Sequence, residues 1–304
     1  MHAKEHAESA SGASVARPAA LLRLLRPEQW VKSAFVLAPL FFTPGAVTVA
    51  NCAAALAGAA CFSAAASAGY VFNDWRDRDE DRLHPAKRRR PLAAGEVNPA
   101  PALGLALTLM LGALAGGALL GGRFLLALAL YLGLTALYTA VLRRHAIVDV
   151  LAIALGFVLR VIAGAELIAV HASVWILVCT GLLALAVALG KRRDDLLRGR
   201  GDLERPSLSG YNLRFLDTSV AMVLAALLVA YALYTIDPLV SARAGGRPLI
   251  ATIPFVVGGV LRYLQLMLVE ERTGAPTELA LKDPPLRLAI LGWLAAFALL
   301  LYWP

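Results

Sequence analysis

Long apolar stretches recur along the whole chain, and charged residues gather in the short segments between them. A helix needs about 20 predominantly apolar residues to cross the hydrocarbon core of a bilayer. Windows of that length predict nine spans, at residues 32–50, 52–72, 99–120, 123–142, 146–170, 173–190, 215–236, 248–270 and 286–303. The first has the weakest pattern, because Pro39 and Pro44 interrupt it. We therefore expect an all-α fold, a polytopic bundle of about nine transmembrane helices.

The composition is that of an integral membrane protein. The chain is 59% hydrophobic and 16% charged, whereas soluble domains average about 45–50% and about 25%. The first 20 residues are polar and rich in Ala and Ser, which predicts a disordered cytoplasmic tail. Residues 21–304 are predicted to form a single transmembrane domain.

The distribution of basic residues predicts the orientation of the spans. With the N-terminus inside, 24 of the 29 Lys and Arg residues fall on cytoplasmic segments, and only Arg123, Arg243 and Arg247 on outer loops. Cytoplasmic loops of membrane proteins carry such an excess. The sequence therefore predicts a multi-pass protein of the plasma (inner) membrane with a cytoplasmic N-terminus. The basic clusters lie on short loops between spans, which argues against a nucleic-acid partner.

Two cytoplasmic segments, 73–98 and 191–214, hold most of the charges that topology does not explain. Each mixes acids with a basic cluster and closes on a turn-like stretch, at 91–95 and at 206–210. We expect both to be capping loops over one cavity, so that an active site would face the cytoplasm.

An N-D-x-x-D-x-x-x-D run, formed by Asn73, Asp74, Asp77 and Asp81, lies where the second predicted span meets water. On a helix the three aspartates fall on one stripe, where unpaired carboxylates would repel one another. Hard oxygen ligands suit Mg²⁺, which also keeps open positions for phosphate oxygens. We expect the aspartates to be catalytic and to hold Mg²⁺ together with Asn73, which would also contact substrate. In the alternative, a solvated helix end, nearby basic residues balance the acids: Arg76, Arg78 and Arg82.

Two basic runs are candidate phosphate-binding clusters. The run 87–90 begins six residues after Asp81 and can fold back toward a phosphate held on the metal. Arg grips phosphate with two parallel hydrogen bonds and Lys with a point charge. The run 191–193 ends the sixth predicted span, where basic residues also compensate the helix dipole. A positive-inside anchor is the simpler interpretation of the first run. The candidate ligands are Lys87, Arg88, Arg90, Lys191, Arg192 and Arg193.

Five further polar residues are candidates for the cavity. Arg160 lies inside the fifth predicted span, and intramembrane charges usually face the bundle interior and pair or bind substrate. Tyr131, Tyr138 and Asp149 are expected either to line the cavity or to pack and cap. Lys32 follows Trp30 at the first membrane boundary, as a phosphate contact or as an interfacial anchor.

With these residues in place, the chain resembles the UbiA superfamily of intramembrane prenyltransferases. Residues 73–81 are similar to that family's first metal motif. Within the superfamily, the similarity is to the decaprenyl-phosphate phosphoribosyltransferases. It rests on residues 26–32, on the H-P-x-K-R-x-R-P-x-A-x-G pattern that ends at Gly95, and on 147–164, 190–192 and 262–263. The resemblance runs from about residue 21 to the C-terminus and implies nine helices with two cytoplasmic capping loops.

The resemblance implies Mg²⁺-dependent transfer of 5-phosphoribose from phosphoribosyl diphosphate to a polyprenyl phosphate of the decaprenyl type. Aromatic prenyltransferases of the superfamily carry a second acidic motif after the sixth span, where this chain has the basic run 191–193. One acidic and one basic cluster suit a donor with a diphosphate and a separate phosphate, and a lipid phosphate as acceptor. In this interpretation the run 87–90 binds donor phosphates, and 191–193 with Lys32 bind the others.

Three other interpretations are weighed against this one. Prenyl transfer from a polyprenyl diphosphate to an aromatic acceptor of the 4-hydroxybenzoate type is disfavoured by the missing second acidic motif. A transporter or flippase needs access from both sides, whereas the polar residues here crowd one side. A structural scaffold explains neither the aspartate stripe nor Arg160. The sequence does not determine the lipid chain length, the number of metal ions or the oligomeric state. A homo-oligomer is compatible with it.

Overall fold

The computed structural model describes residues 18–85, 87–199 and 206–303. Within these ranges the chain forms helices and connecting turns, without a strand. The α-helices are α1 (Pro18–Leu25), α2 (Ala38–Phe41), α3 (Val49–Arg76), α4 (Arg78–Leu83), α5 (Pro99–Leu120), α6 (Gly122–Ala140), α7 (Val148–Leu167), α8 (Val174–Leu197), α9 (Leu213–Ile236), α10 (Pro238–Arg243), α11 (Ile253–Leu268), α12 (Pro276–Lys282) and α13 (Pro284–Tyr302).

Eight helical stretches in the described ranges are long and apolar enough to cross a membrane. They are α3, α5, α6, α7, α8, α9, α13, and α11 with the 3₁₀ turn Leu249–Thr252 that precedes it. These stretches coincide with the second to ninth predicted spans. The prediction of a polytopic, all-α membrane protein is therefore confirmed.

The first predicted span, residues 32–50, contains no helix of spanning length. Pro27–Val36 is a 3₁₀ segment, α2 has only 4 residues, and Pro44–Ala46 is another 3₁₀ turn. Proline lacks an amide donor, and its ring clashes with the preceding turn, so a regular helix cannot continue through Pro39 and Pro44. The count of long apolar helices in the described ranges is thus eight, where the sequence predicted about nine.

The chain divides into two compact units. Unit 1 comprises Met1–Val31 and Cys61–Ala115, of which the structure describes residues from 18 onward. Its core joins α1, the end of α3, the turn after α4 and the start of α5 through the buried side chains of Leu24, Val71 and Leu92. This packing places the polar end of α3 beside the N-terminal helix.

Unit 2 comprises Lys32–Ala60 and Gly116–Pro304. Its larger core lies between α7, α8, α9 and α11, where Leu189, Leu216 and Met267 are almost fully buried. Because these helices are held by apolar contacts along their length, polar side chains at their ends are fixed in position.

Helix α7 approaches the broken segment closely at Gly164. A Cβ atom added there would overlap the carbonyl oxygen of Val36 and lie 3.2 Å from the Cδ of Pro39. Only a glycine allows α7 to pack directly against this backbone. The irregular segment is therefore held in place by α7.

Two segments of the predicted domain layout, the N-terminal tail and the second capping loop, differ in detail from expectation. Residues 1–17 of the predicted tail 1–20 lie outside the described residues. From Pro18 onward the chain is helical, with Ala20 and Leu24 buried. The predicted loop 191–214 starts later than expected, because α8 continues to Leu197. Residues 200–205 of that loop lie outside the described residues. The basic run 191–193 consequently lies within α8.

Candidate functional site

Two buried aspartates and two arginines form a cluster at the C-terminal end of α3, within unit 1. Asp74 and Asp81 are each 3% exposed. The Nη2 atom of Arg26 donates to both carboxylate oxygens of Asp74, at 2.6 and 2.9 Å. The Nη1 atom of Arg90 donates to Oδ1 of Asp74 at 3.0 Å and to Oδ2 of Asp81 at 2.7 Å. A single guanidinium group thus joins the two carboxylates. We call these four residues the Asp–Arg cluster.

The aspartate stripe is divided by a turn at Asp77. Helix α3 ends one residue before Asp77, although the amides of Asp77 and Asp81 still donate to the carbonyls of Asn73 and Asp77 at 2.9 Å. The carboxylate of Asp77 accepts a hydrogen bond from Nε of Arg76 at 3.0 Å and is partly exposed, and Asn73 is half-buried. The structure therefore brings together Asp74 and Asp81. For Asp77 it shows the pairing with a neighbouring arginine that the simpler alternative described.

The basic run 87–90 folds back onto the aspartates, and Arg90 is the residue that reaches them. Lys87–Arg89 form a 3₁₀ turn in which the lysine is half-buried and the two arginines are exposed. The turn that follows closes at Gly95, whose φ of +73° favours glycine. Two exposed guanidinium groups and one lysine thus directly precede, along the chain, the arginine that joins the two aspartates.

Arg26 is a member of the cluster that the sequence reasoning did not place in the site. Its φ of +53° is uncommon for a residue with a side chain, and it directly precedes Pro27. Its guanidinium carbon lies 5.1 Å from the centroid of the Tyr70 ring, one turn before Asp74 on α3. Backbone conformations of this kind cluster at functional sites. The available sequence signal was the Arg-Pro pair at the first membrane boundary.

The electrostatics of the cluster favour a cation between its two carboxylates. Burial raises the pKa of Asp81, because the charged form loses hydration, and the negative charge of Asp74 acts in the same direction. The guanidinium of Arg90 opposes this shift. A cation at this point therefore helps to keep the carboxylate of Asp81 ionised.

The chemistry of the oxygen ligands suits Mg²⁺, but in this structure the carboxylates of Asp74 and Asp81 are both hydrogen-bonded to Arg90. Asn73, Asp74, Asp77 and Asp81 offer the hard oxygen ligands that Mg²⁺ prefers. Within the described ranges, however, no three His, Cys, Asp or Glu side chains lie close enough to hold a metal ion. The residues fit a divalent cation if Arg90 gives up its position between the two carboxylates.

A second buried charge cluster is centred on Asp149 at the start of α7, within unit 2. The side chain of Asp149 is fully buried. Its carboxylate accepts hydrogen bonds from Nε of Arg192 at 2.7 Å, Oγ of Ser207 at 3.0 Å and the hydroxyl of Tyr211 at 2.7 Å. Burial and the hydrogen bond to Asp149 raise the pKa of Tyr211, so its hydroxyl remains a donor. Asp149 therefore joins α7, α8 and the turn before α9.

The two arginines of the run 191–193 are engaged in such buried pairs. Arg192 is 1% exposed and pairs with Asp149, and Arg193 is 5% exposed and donates from Nε to Oδ1 of Asp217 at 2.5 Å. Arg193 also donates to a backbone carbonyl of α11 at 2.8 Å. Neither guanidinium is open to a phosphate in this structure, because each ties α8 to its neighbours. Lys191 is half-buried and stays a candidate ligand.

The remaining predicted ligands lie in unit 2. Arg160 faces the interior, as predicted, where its Nη2 donates to the hydroxyl of Tyr131 at 2.9 Å and its guanidinium lies 4.5 Å from the centroid of that ring. Tyr138 accepts a longer hydrogen bond, 3.4 Å, from Arg192. Lys32 is half-buried in the 3₁₀ segment Pro27–Val36. The structure thus gives Arg160 an aromatic partner.

Comparison with known proteins adds a family match and named relatives. A model of the UbiA prenyltransferase family matches residues 33–282. A protein of Mycobacterium tuberculosis named decaprenyl-phosphate phosphoribosyltransferase is 32% identical over 283 residues, which cover 91% of this chain and 92% of that protein. A protein of the same name from Corynebacterium glutamicum is 32% identical over 292 residues, covering 93% of this chain and 86% of that protein.

Solved structures are similar at the level of the fold. The structure of a UbiA homolog from Archaeoglobus fulgidus bound to GPP and Mg²⁺ has a TM-score of 0.71 to this chain. The two are 20% identical, and the match covers 93% of this chain and 99% of that one.

Proposed function

Because the chain belongs to the UbiA prenyltransferase family, we propose that this membrane transferase moves 5-phosphoribose from phosphoribosyl diphosphate to a polyprenyl phosphate. The two relatives named decaprenyl-phosphate phosphoribosyltransferase support this choice of substrates. The observation that carries the proposal is the pair of buried carboxylates, Asp74 and Asp81, joined by Arg90 at the end of an apolar helix. Such a pair suits a negatively charged substrate that arrives with a divalent cation.

Asp74, Asp77 and Asp81, with Asn73, would hold Mg²⁺, which when bound offsets the negative charge of the donor's diphosphate. The surrounding basic residues provide the chain's own contribution. Arg90 exchanges its two carboxylates for phosphate oxygens when the donor binds, and Lys87 and Arg88 add contacts from the exposed turn.

In the reaction, the bond between C1 of the ribose and the diphosphate oxygen breaks, and a bond from C1 to an oxygen of the lipid phosphate forms. Positive charge develops on the sugar as the diphosphate leaves. The acceptor phosphate is already an anion near neutral pH, since the second pKa of a phosphate ester is about 6. The reaction therefore needs no general base, and the basic residues act by holding the two phosphorylated substrates in place.

The proposal keeps four sequence-based candidates for the other phosphate groups and the acceptor: Lys32, Tyr138, Arg160 and Lys191. The polyprenyl tail lies among the apolar helices, in contact with the bilayer. The excess of basic residues on alternate loops supports an active site at the cytoplasmic face of the plasma membrane.

Transfer of label into lipid tests this function. Purified protein is incubated with radiolabelled phosphoribosyl diphosphate, Mg²⁺ and a polyprenyl phosphate, and the label in the organic phase is counted. We expect Asp81→Asn to lower the rate about 10²-fold or more, as is typical when a charge-stabilising group is removed. The matched control is Asp79→Asn, because Asp79 is an exposed acid on the same helix that pairs with Arg82.

Two results would overturn different parts of the proposal. Equal rates for Asp79→Asn and Asp81→Asn would remove the site from the Asp–Arg cluster. Absence of label from the lipid with the wild-type protein, under conditions where a prenyl diphosphate and an aromatic acid react, would exclude phosphoribosyl diphosphate as the donor.

A further inference from the structure

Unit 2 contains a cavity of about 300 Å³ at the C-terminal end of α8. Its walls are the last turn of α8, the loop that follows α11, and α12. This volume is at the lower end of the range for small-molecule sites. The cavity has a mixed-charge lining: Asp194, Glu278, Asp283, Arg198, Arg272 and Lys282.

The floor of the cavity carries an unsatisfied carboxylate oxygen. Asp194 is 1% exposed, and its Oδ2 accepts a hydrogen bond from Nε of Arg198 at 2.7 Å. Its Oδ1 has no hydrogen-bond partner among the described residues. Leaving a buried acceptor unpaired is unfavourable, so such an atom calls for a donor.

The position of this carboxylate is fixed by the loop above it. A Cβ atom added to Gly274 would overlap Oδ2 of Asp194, so the loop backbone lies directly on the carboxylate. The loop is itself anchored, because the hydroxyl of Thr273 donates to the carbonyl of Gly190 at 2.9 Å. The carboxylate of Asp194, a residue that lines the cavity, is therefore held in a fixed position.

The rim of the cavity carries three cations, and the present partners of Arg272 and Lys282 are easily replaced. The side chains of Arg198, Arg272 and Lys282 are each more than half exposed. The ion pair of Arg272 with Glu270 measures 3.2 Å, and that of Lys282 with Glu278 measures 2.9 Å. Exposed ion pairs of this kind contribute little stability. A guanidinium group has five N–H donors and an ammonium three, which leaves donors for an incoming anion.

We infer that this cavity binds a phosphorylated polyol, with its phosphate on Arg198, Arg272 and Lys282 and a hydroxyl donating to Oδ1 of Asp194. Inorganic phosphate pairs with the basic residues of the rim but places its negative charge beside the buried carboxylate of Asp194. A simple cation satisfies Asp194 but meets three positive charges at the entrance. A divalent metal is disfavoured because no three acidic, His or Cys side chains in the described ranges are grouped closely enough.

The same chemistry is present in the headgroup of phosphatidylglycerol, which carries a phosphate and free hydroxyl groups, and in a free sugar phosphate. None of the cavity residues belongs to the Asp–Arg cluster. The inference therefore stands independently of the proposed transfer reaction.

Calorimetric titration of the full chain in phosphatidylcholine nanodiscs tests the site, with glycerol 3-phosphate and inorganic phosphate as the two ligands. We expect glycerol 3-phosphate to bind about tenfold more tightly, because its alcohol hydroxyls are separate from its phosphate and can donate to Asp194 while the phosphate stays on the basic residues. The double variant Arg272→Ala/Lys282→Ala lowers that affinity about tenfold or more. Arg287→Ala, which removes an exposed arginine of α13, leaves it unchanged.

The variant Asp194→Asn tests the floor of the cavity separately. It keeps the size of the side chain but removes its charge, so the preference for glycerol 3-phosphate over phosphate narrows to a few-fold. Equal affinities of the wild-type protein for the two ligands would overturn the inference. An effect of Arg287→Ala as large as that of the double variant would also overturn it.

Nanodiscs that contain phosphatidylglycerol identify the source of the ligand. If the lipid headgroup is the occupant, soluble glycerol 3-phosphate no longer binds in these nanodiscs. If a free sugar phosphate is the occupant, the affinity is the same as in phosphatidylcholine. Failure to bind glycerol 3-phosphate in phosphatidylcholine nanodiscs, where no such headgroup competes, contradicts the site.

Discussion

Replacing Asp149 by Asn tests whether this residue holds helices together or serves the substrate. The fully buried carboxylate accepts hydrogen bonds from Arg192, Ser207 and Tyr211, and from the amide of Val150 at 2.8 Å. An amide of the same shape carries no charge and turns a donor toward groups that are themselves donors. Arg192, which is 1% exposed, then loses its 2.7 Å partner inside the protein.

The expected cost follows from the burial of both partners. Removing one member of a buried ion pair costs about 3–5 kcal/mol. For a chain of this size, 1 kcal/mol corresponds to roughly 2–4 °C, so we expect the Tm to fall by roughly 6–20 °C. The matched control is Asp217→Asn, because Asp217 pairs with Arg193 but is partly exposed. Its loss costs less than that of Asp149, because water reaches the Asp217 side of the pair and Arg193 keeps its hydrogen bond to a backbone carbonyl of α11.

Thermal unfolding of the purified variants, followed by intrinsic fluorescence in one detergent, provides the measurement. Transfer of label into lipid is measured at a temperature where every variant is folded. We expect a low Tm for Asp149→Asn with near-normal transfer by the folded fraction. A Tm no lower than that of Asp217→Asn, combined with lost transfer, would refute it and place Asp149 among the substrate ligands.

Three further substitutions test the described geometry. Arg90→Ala removes the guanidinium between the two buried aspartates and should slow transfer about tenfold or more. Arg89→Ala, on the exposed turn, should change the rate by no more than about twofold. Steady-state rates of transfer measure both effects. Gly164→Ala should lower the free energy of unfolding by about 1–3 kcal/mol through overpacking. The control is Gly133→Ala, because a Cβ added at Gly133 meets nothing within 4 Å. It should leave the free energy of unfolding unchanged or raise it by about 0.5–1 kcal/mol. Arg26→Lys keeps the charge but loses the planar group over its aromatic partner, so the KM for phosphoribosyl diphosphate should rise severalfold; an unchanged KM would remove this residue from the site.

The apolar windows were sufficient to predict the helices, and they were least informative where the backbone is irregular. Eight of the nine windows coincide with long helices. The window 32–50 is also apolar, but its two prolines interrupt the helix, and the path of the backbone then depends on what packs against the segment. Here Gly164 of α7 holds the irregular backbone, and a hydropathy window contains no information about such a contact.

The aspartate run predicted which carboxylates would lie close together, and the arginines could not be placed in the same way. Asp74 and Asp81 face one point, as their spacing indicated, with Arg90 between them. Arg26 was missed because its partner is 48 residues away along the chain. Arg192 was predicted to bind phosphate because the sequence does not show its partner. That partner, Asp149, is 43 residues away along the chain, and the burial of Arg192 follows from packing. Whether a basic residue is open to substrate depends on such distant partners.

The most direct test of the proposed transfer is the mass of the lipid product formed when two donors compete. The protein is given phosphoribosyl diphosphate and a prenyl diphosphate together, with polyprenyl phosphate and 4-hydroxybenzoate as acceptors, in the presence of Mg²⁺ or EDTA. We expect a polyprenyl phosphate heavier by one phosphoribosyl group, formed with Mg²⁺ and lost with EDTA and in Asp81→Asn. A prenylated aromatic acid as the sole product would contradict it.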